Sequence, residues 1–200
     1  GSTGSGGAMK AINSSIYLSA CDFAGNYDFY GGGALHQEGG LLEVNNTKFS
    51  ENVNSSWNGG GALFLKNVKG EMNLSSFIKN ETYANNYGGA VKLINSSPLI
   101  TQCLFSKNKS WSNSAGAIYI DENSAPKLSS NEFNENYAKS WGGAIYSETA
   151  DLNVSGGSFY GNWATFGGGV AAKGTQLTSF NSVKALGNEA NATSGSQGGF

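Results

Sequence analysis

The chain has 200 residues, with Gly 30, Pro 2, charged residues at 13%, hydrophobics at 38% and aromatics at 12%. So much Gly, Asn and Ser competes with the helical backbone, while the apolar fraction suffices for an ordered core and excludes a disordered chain. A net charge of -2 gives no basic patch for nucleic acid or an anionic membrane, and no apolar run approaches the ~20 residues of a membrane-spanning helix.

In chain order, residues 1–9 read in whole or part as a vector-derived linker, opening Gly1-Ser2-Thr3-Gly4-Ser5. No secretory leader stands there, which implies that any export signal has been removed. Residues 10–200 read as one repetitive unit. Lys10-Ala11-Ile12-Asn13-Ser14-Ser15 lines up with Lys92-Leu93-Ile94-Asn95-Ser96-Ser97, so the first repeat begins by Lys10 at the latest. The pattern Phe-x-x-Asn then follows at Phe23/Asn26, Phe49/Asn52, Phe77/Asn80, Phe105/Asn108, Phe133/Asn136 and Phe159/Asn162, with a degenerate copy at Ala185/Asn188. The steps are 26, 28, 28, 28, 26 and 26 residues, the fixed period of a solenoid.

Two further columns keep the same period. An apolar residue stands five places before each Phe or its substitute: Leu18, Val44, Met72, Ile100, Leu128, Val154 and Phe180. A Gly-Gly-Ala-aliphatic motif follows as Gly32-Gly33-Ala34-Leu35, Gly60-Gly61-Ala62-Leu63, Gly88-Gly89-Ala90-Val91 and Gly142-Gly143-Ala144-Ile145. Its imperfect copies are Ala115-Gly116-Ala117-Ile118 and Gly167-Gly168-Gly169-Val170. Short alternating pieces such as Leu63-Phe64-Leu65, bounded by Gly and Asn clusters, are strand signals, and no stretch keeps a helical period.

These features predict an all-β fold, a right-handed parallel β-helix of about seven coils with about 27 residues per coil. Three short strands and three turns per coil are expected. Each Phe should point inward and stack, each Asn should bond its equivalents above and below as amide ladders do, and Gly-Gly should form a corner that a side chain would block. The last residues, Gly198-Gly199-Phe200, stop where another Gly-Gly-Ala would begin, as in a fragment of a longer solenoid.

Phe-x-x-Asn alternating with Gly-Gly-Ala-Ile/Leu/Val resembles the repeat of the chlamydial polymorphic outer membrane proteins over nearly the whole chain after the linker. The resemblance implies an autotransporter-type passenger, secreted or displayed on the bacterial surface. In the parent protein a C-terminal barrel, absent from this sequence, would anchor it in the outer membrane. Passengers of that family are implicated in adhesion to host cells, so the implied partner is a host cell-surface protein or glycan.

The chemistry-bearing residues are sparse. The 14 acidic residues are dispersed, whereas polysaccharide cleavage needs two converging carboxylates and calcium needs clustered acidic ligands. Asp121-Glu122, an adjacent acidic pair, reads as a solvated turn, and His36, the one histidine, has no nucleophile near it in sequence. No catalytic set, cofactor or metal site is expected. Cys21 and Cys103 share a column three coils apart, roughly 14 Å at the strand spacing, beyond the reach of a disulfide, and read as buried free thiols. The third place of Phe-x-x-Asn carries Gly25, Glu51, Lys79, Lys107, Glu135 and Gly161, giving exposed ion pairs that contribute only ~0–1 kcal/mol each.

Two aromatic stripes are the candidate binding surfaces. Turns before Gly-Gly carry Tyr30, Trp57, Tyr87, Trp111, Trp141 and Phe166, rings suited to an interface or else folded back over a corner of the core. Two residues after Ala stand His36, Phe64, Lys92, Tyr119 and Tyr146, expected to face outward. Of nine Asn-x-Ser/Thr sequons, Asn80 and Asn108 belong to the ladder and are poor acceptors. The expected function is non-catalytic adhesion; a polysaccharide-active enzyme and a passive spacer stalk are the alternatives. End-to-end self-association through unpaired strands is a further expectation.

Overall fold

The structure is a computed structural model and describes residues 5–55, 59–84, 86–174 and 178–191. The first coil contains β1 (Met9–Ile12), β2 (Ile16–Ser19), β3 (Asp22–Ala24) and β4 (Tyr27–Asp28). The second contains β5 (Leu35–Glu38), β6 (Leu41–Asn45), β7 (Lys48–Ser50) and β8 (Val53–Asn54). Each strand pairs in parallel with its equivalent one coil on, giving four sheets of seven strands among the described residues. The fold is the right-handed parallel β-helix expected. The expectation of three strands per coil is corrected to four: β4, β8 and their equivalents are two residues long, too short to show alternation, yet they hold register from Tyr27↔Val53 to Ala164↔Ala190. We number the sheets one to four by the order of their strands within a coil. At the N-terminus, pairing reaches the amides of Gly7 and Ala8, which donate to the carbonyls of Gly32 and Ala34.

The interior is built from columns of like residues. Phe23, Phe49, Phe77, Phe105, Phe133 and Phe159 stack with centroids 4.7–5.1 Å apart and planes within 9° of parallel. Their register is direct, Phe77 opposite Phe49 and Phe105. In sheet two, Leu18, Val44, Met72, Ile100, Leu128 and Val154 are buried, but Phe180 is 44% exposed and meets Phe159 edge-on. The Asn column bonds as expected: Asn52, Asn80, Asn108 and Asn136 each donate the side-chain amide to the Oδ1 of the next Asn at 2.9–3.0 Å. The other amide hydrogen goes to a Phe carbonyl of the preceding coil, as from Asn108 to Phe77 at 2.9 Å.

Both corners flanking sheet three turn on a residue in the left-handed region. Ala20, Asn46, Leu74, Gln102, Ser130, Gly156 and Ser182 occupy one (φ 46° to 65°). The other holds Gly25, Glu51, Lys79, Lys107, Glu135, Gly161 and Gly187 (φ 53° to 63°). That conformation costs a non-glycine residue ~1–2 kcal/mol. It persists because the next residue, Asn in one column and Thr47, Ser75, Cys103 or Asn131 in the other, turns inward and hydrogen-bonds an adjacent coil. The Gly-Gly corner obeys a different constraint. A Cβ on Gly61 would sit 1.9 Å from the Gly89 carbonyl oxygen, and one on Gly89 2.2 Å from that of Gly116. In the imperfect copy Ala115 takes the place of the first Gly at φ 62°.

Candidate functional site

The stripe two residues after Ala is in register along the outer side of sheet one: His36↔Phe64, Phe64↔Lys92, Lys92↔Tyr119 and Tyr119↔Tyr146. Strand alternation points it away from the core, as expected, but it is not an open face. His36, Phe64, Lys92, Tyr119 and Tyr146 are all buried, none more than 7% exposed. The cover comes from the turns before Gly-Gly. The Tyr87 ring packs 4.6 Å from Tyr119, and Trp141 lies 6.3 Å from Tyr146. Tyr119, Tyr146, Ala115 and Ala171 form a second apolar cluster separate from the coil interior, with Tyr87 and Ile94 against it.

The turn aromatics therefore do not make a single ribbon. Tyr30, Trp111, Trp141 and Phe166 are 37–41% exposed, while Tyr87 is half-buried. Trp141 and Phe166 stack at 4.5 Å. Trp57 lies outside the described residues. Rather than cover the corner of the core, Tyr87 and Trp141 lean over the outer face of sheet one. Trp111 turns the other way and joins a row absent from the sequence reading.

That row lies on the outer side of sheet four. Tyr83, Trp111, Tyr137 and Trp163 come from four successive coils, with centroids 6.3, 5.7 and 4.8 Å apart. Tyr137 and Trp163 occupy the place just after the ladder Asn, where sheet four's residues point outward; Glu81, Lys109, Tyr137 and Trp163 are in register there. Glu81 braces the row: its Oε2 accepts from the Tyr83 hydroxyl at 2.6 Å and from the Trp111 indole at 2.9 Å. The bond to Glu81, with some burial, pushes the Tyr83 hydroxyl up to about 12. The Lys109 ammonium lies 4.8 Å from the Trp111 ring centre, a cation–π contact. Tyr83 and Trp111 are each 40% exposed, and Tyr137 and Trp163 are half-buried. Aligning the residue after each ladder Asn would have found Tyr137 and Trp163; the bracing by Glu81 leaves no mark in sequence.

Three remaining sequence readings find their places. Asp121 Oδ1 accepts from the amides of Asn95 and Asn123 and from the Ser124 hydroxyl, so it organises a turn. Lys79–Glu51 and Lys107–Glu135 form ion pairs at 3.6 Å, all four side chains more than half exposed. Both thiols are free, but only Cys103 is buried; Cys21, in the first coil, is half-buried. Burial pushes the Cys103 thiol up to about 11.

Comparison with known protein families matches a family described as right handed beta helix region over residues 7–190. No curated protein and no solved structure matches the chain. The 26- and 28-residue steps, the four parallel sheets and the span of that match agree: the chain belongs to the right-handed parallel β-helix family.

Proposed function

We propose that this chain is part of a β-helical passenger of the autotransporter type, displayed at the bacterial surface, that attaches to host cells by non-catalytic contact with a protein or glycan. The contact surface in this reading is the row Tyr83, Trp111, Tyr137 and Trp163. The observation that carries it is the braced alignment of four rings on four successive coils. Tyr and Trp offer large contact area with few rotatable bonds, and here Glu81 and the parallel backbone hold two of them before any partner arrives. Binding therefore costs little side-chain entropy. Resemblance to passengers implicated in adhesion supports the host-cell assignment.

The test is saturable binding of the purified chain to epithelial cells, compared with Trp111→Ala/Tyr137→Ala and with Phe64→Leu. Loss of at least tenfold in affinity in the first variant, with binding retained in the second and circular dichroism unchanged, supports the reading. Glycosidase or protease treatment of the cells then separates glycan from protein. Absence of saturable binding by the parent chain would transfer the weight to a spacer role.

A further inference from the structure

On the outer side of sheet one, a different sheet from that of the ring row, Tyr30, His36, Glu38, Phe64, Lys66 and Lys92 surround an open groove of about 370 Å3. Apart from Tyr30, its side chains come from two adjacent outward columns, His36, Phe64 and Lys92 in one and Glu38, Lys66 and Ile94 in the next. His36 Nε2 lies 2.8 Å from Glu38 Oε1, and Lys66 reaches Glu38 Oε2 at 3.5 Å. The carboxylate of Glu38 is thereby held below its usual range, chiefly by the His36 hydrogen bond, and is already engaged twice.

Lys92 is different. It is only 6% exposed, and among the described residues no carboxylate comes within ion-pair distance of it. Asp121 acts on it only at longer range. Its ammonium has ring faces instead, 5.4 Å from the Tyr87 centre and 5.8 Å from that of Tyr119. A sheltered cation without a counter-ion is unfavourable in a fold that has apolar alternatives at the same place. Phe64, Tyr119 and Tyr146 occupy that same column. With Lys66 and Lys92 against the single carboxylate of Glu38, the groove keeps a surplus positive charge. Its walls at Tyr30 and Phe64 are flat and apolar. The volume lies within the ~300–1,000 Å3 range of small-molecule sites.

We propose that this groove binds a carboxylate carried on a ring-shaped body of monosaccharide size, the carboxylate pairing with Lys92 and the ring lying against Phe64 and Tyr30. An aromatic acid and a carboxylated sugar share that chemistry. The site is independent of the ring row on sheet four.

The experiment titrates the chain with benzoate and with glucuronate, each beside its uncharged counterpart, benzyl alcohol and glucose, following amide and side-chain NMR shifts. At least one acid should bind tenfold or more tightly than its counterpart, with shifts centred on His36, Phe64 and Lys92. That preference should fall at least threefold from pH 7 to pH 9.5 as Lys92 loses its proton. Lys92→Met should abolish the preference and Lys92→Arg should retain it. Lys127→Met, on sheet two, and Trp111→Ala, on the ring row, should leave it intact. Which acid binds identifies the source of the carboxylate. Equal binding of acid and counterpart, or no binding of either acid, overturns the proposal. So does a preference that survives Lys92→Met in a chain whose circular dichroism is unchanged. Absence of cell binding by the parent chain, with its acid binding intact, would count against the ring row alone.

Discussion

Asn80 donates its side-chain amide and its backbone N–H to the same atom, Oδ1 of Asn108, each at 3.0 Å. Asn108 repeats the arrangement toward Asn136 and also caps the Phe77 carbonyl. One side chain thus closes hydrogen bonds for three coils in a site with no access to water. Asn108→Ala strands a backbone amide, a side-chain amide and a carbonyl, each costing ~1–3 kcal/mol when buried and unpaired. A loss of about 3 kcal/mol or more is expected in urea unfolding. Asn26→Ala, at the first described rung, should cost less, because Asn26 is half-buried and only donates along the ladder.

The third place of Phe-x-x-Asn invites reading as a line of ion pairs, yet its backbone decides the residue. Lys79 sits at φ 55°, and Gly25, Gly161 and Gly187 occupy the same corner at 59° to 63°. Lys79→Val is expected to destabilise by about 1–2 kcal/mol, because a branched Cβ is poorly accommodated in the left-handed region. Lys79→Gly should fall within about 1 kcal/mol of the parent: relief of strain offsets both the exposed ion pair with Glu51 and the added freedom of the unfolded chain. Melting temperatures at low and high salt check this. The Val deficit should persist in salt; a deficit that vanished there would point to the ion pair instead.

Lys92 makes stability depend on pH in a defined window. Burial depresses its ammonium from the ordinary 10.5 to about 8, so between those values the unfolded chain holds more proton than the folded one. Stability contributed by this site therefore rises with pH through that window, and the full penalty is present below about 8. Burial and hydrogen bonding push the Tyr119 hydroxyl up, which opposes the rise once free tyrosine begins to ionise near ~10. Lys92→Met is expected to be more stable than the parent at pH 7, by on the order of 1–3 kcal/mol, with the gap narrowing by pH 9.5. Urea midpoints at the two pH values measure it.

Much of the interior was legible because the coil step copies each inward side chain onto its own kind. A Phe at a fixed step stacks on a Phe, and an Asn bonds an Asn, so period alone locates both columns. Sheet four escaped because two residues cannot display alternation. The fate of the outward stripe escaped for another reason. Alternation says which way Tyr119 points, but its exposure depends on whether Tyr87, contributed by a turn of the preceding coil, leans over it. The ring row needed both pieces, the register of a sheet too short to notice and the sideways turn of Trp111 away from the other turn aromatics.

The bonds between ladder side chains all run toward the C-terminal end, Nδ2 to Oδ1, from Asn26 to Asn52 and onward to Asn188. Such a series has a sense of direction. Its N-terminal side offers an oxygen and its C-terminal side an N–H, so the two sides are complementary and neither matches itself. Any coil laid on either side, from this chain or from another copy, satisfies the series only when it runs the same way. Stacking by mirror-image contact would set oxygen against oxygen. Growth of such a rod, within a chain or between chains, is vectorial, and its polarity is written in the amide of asparagine.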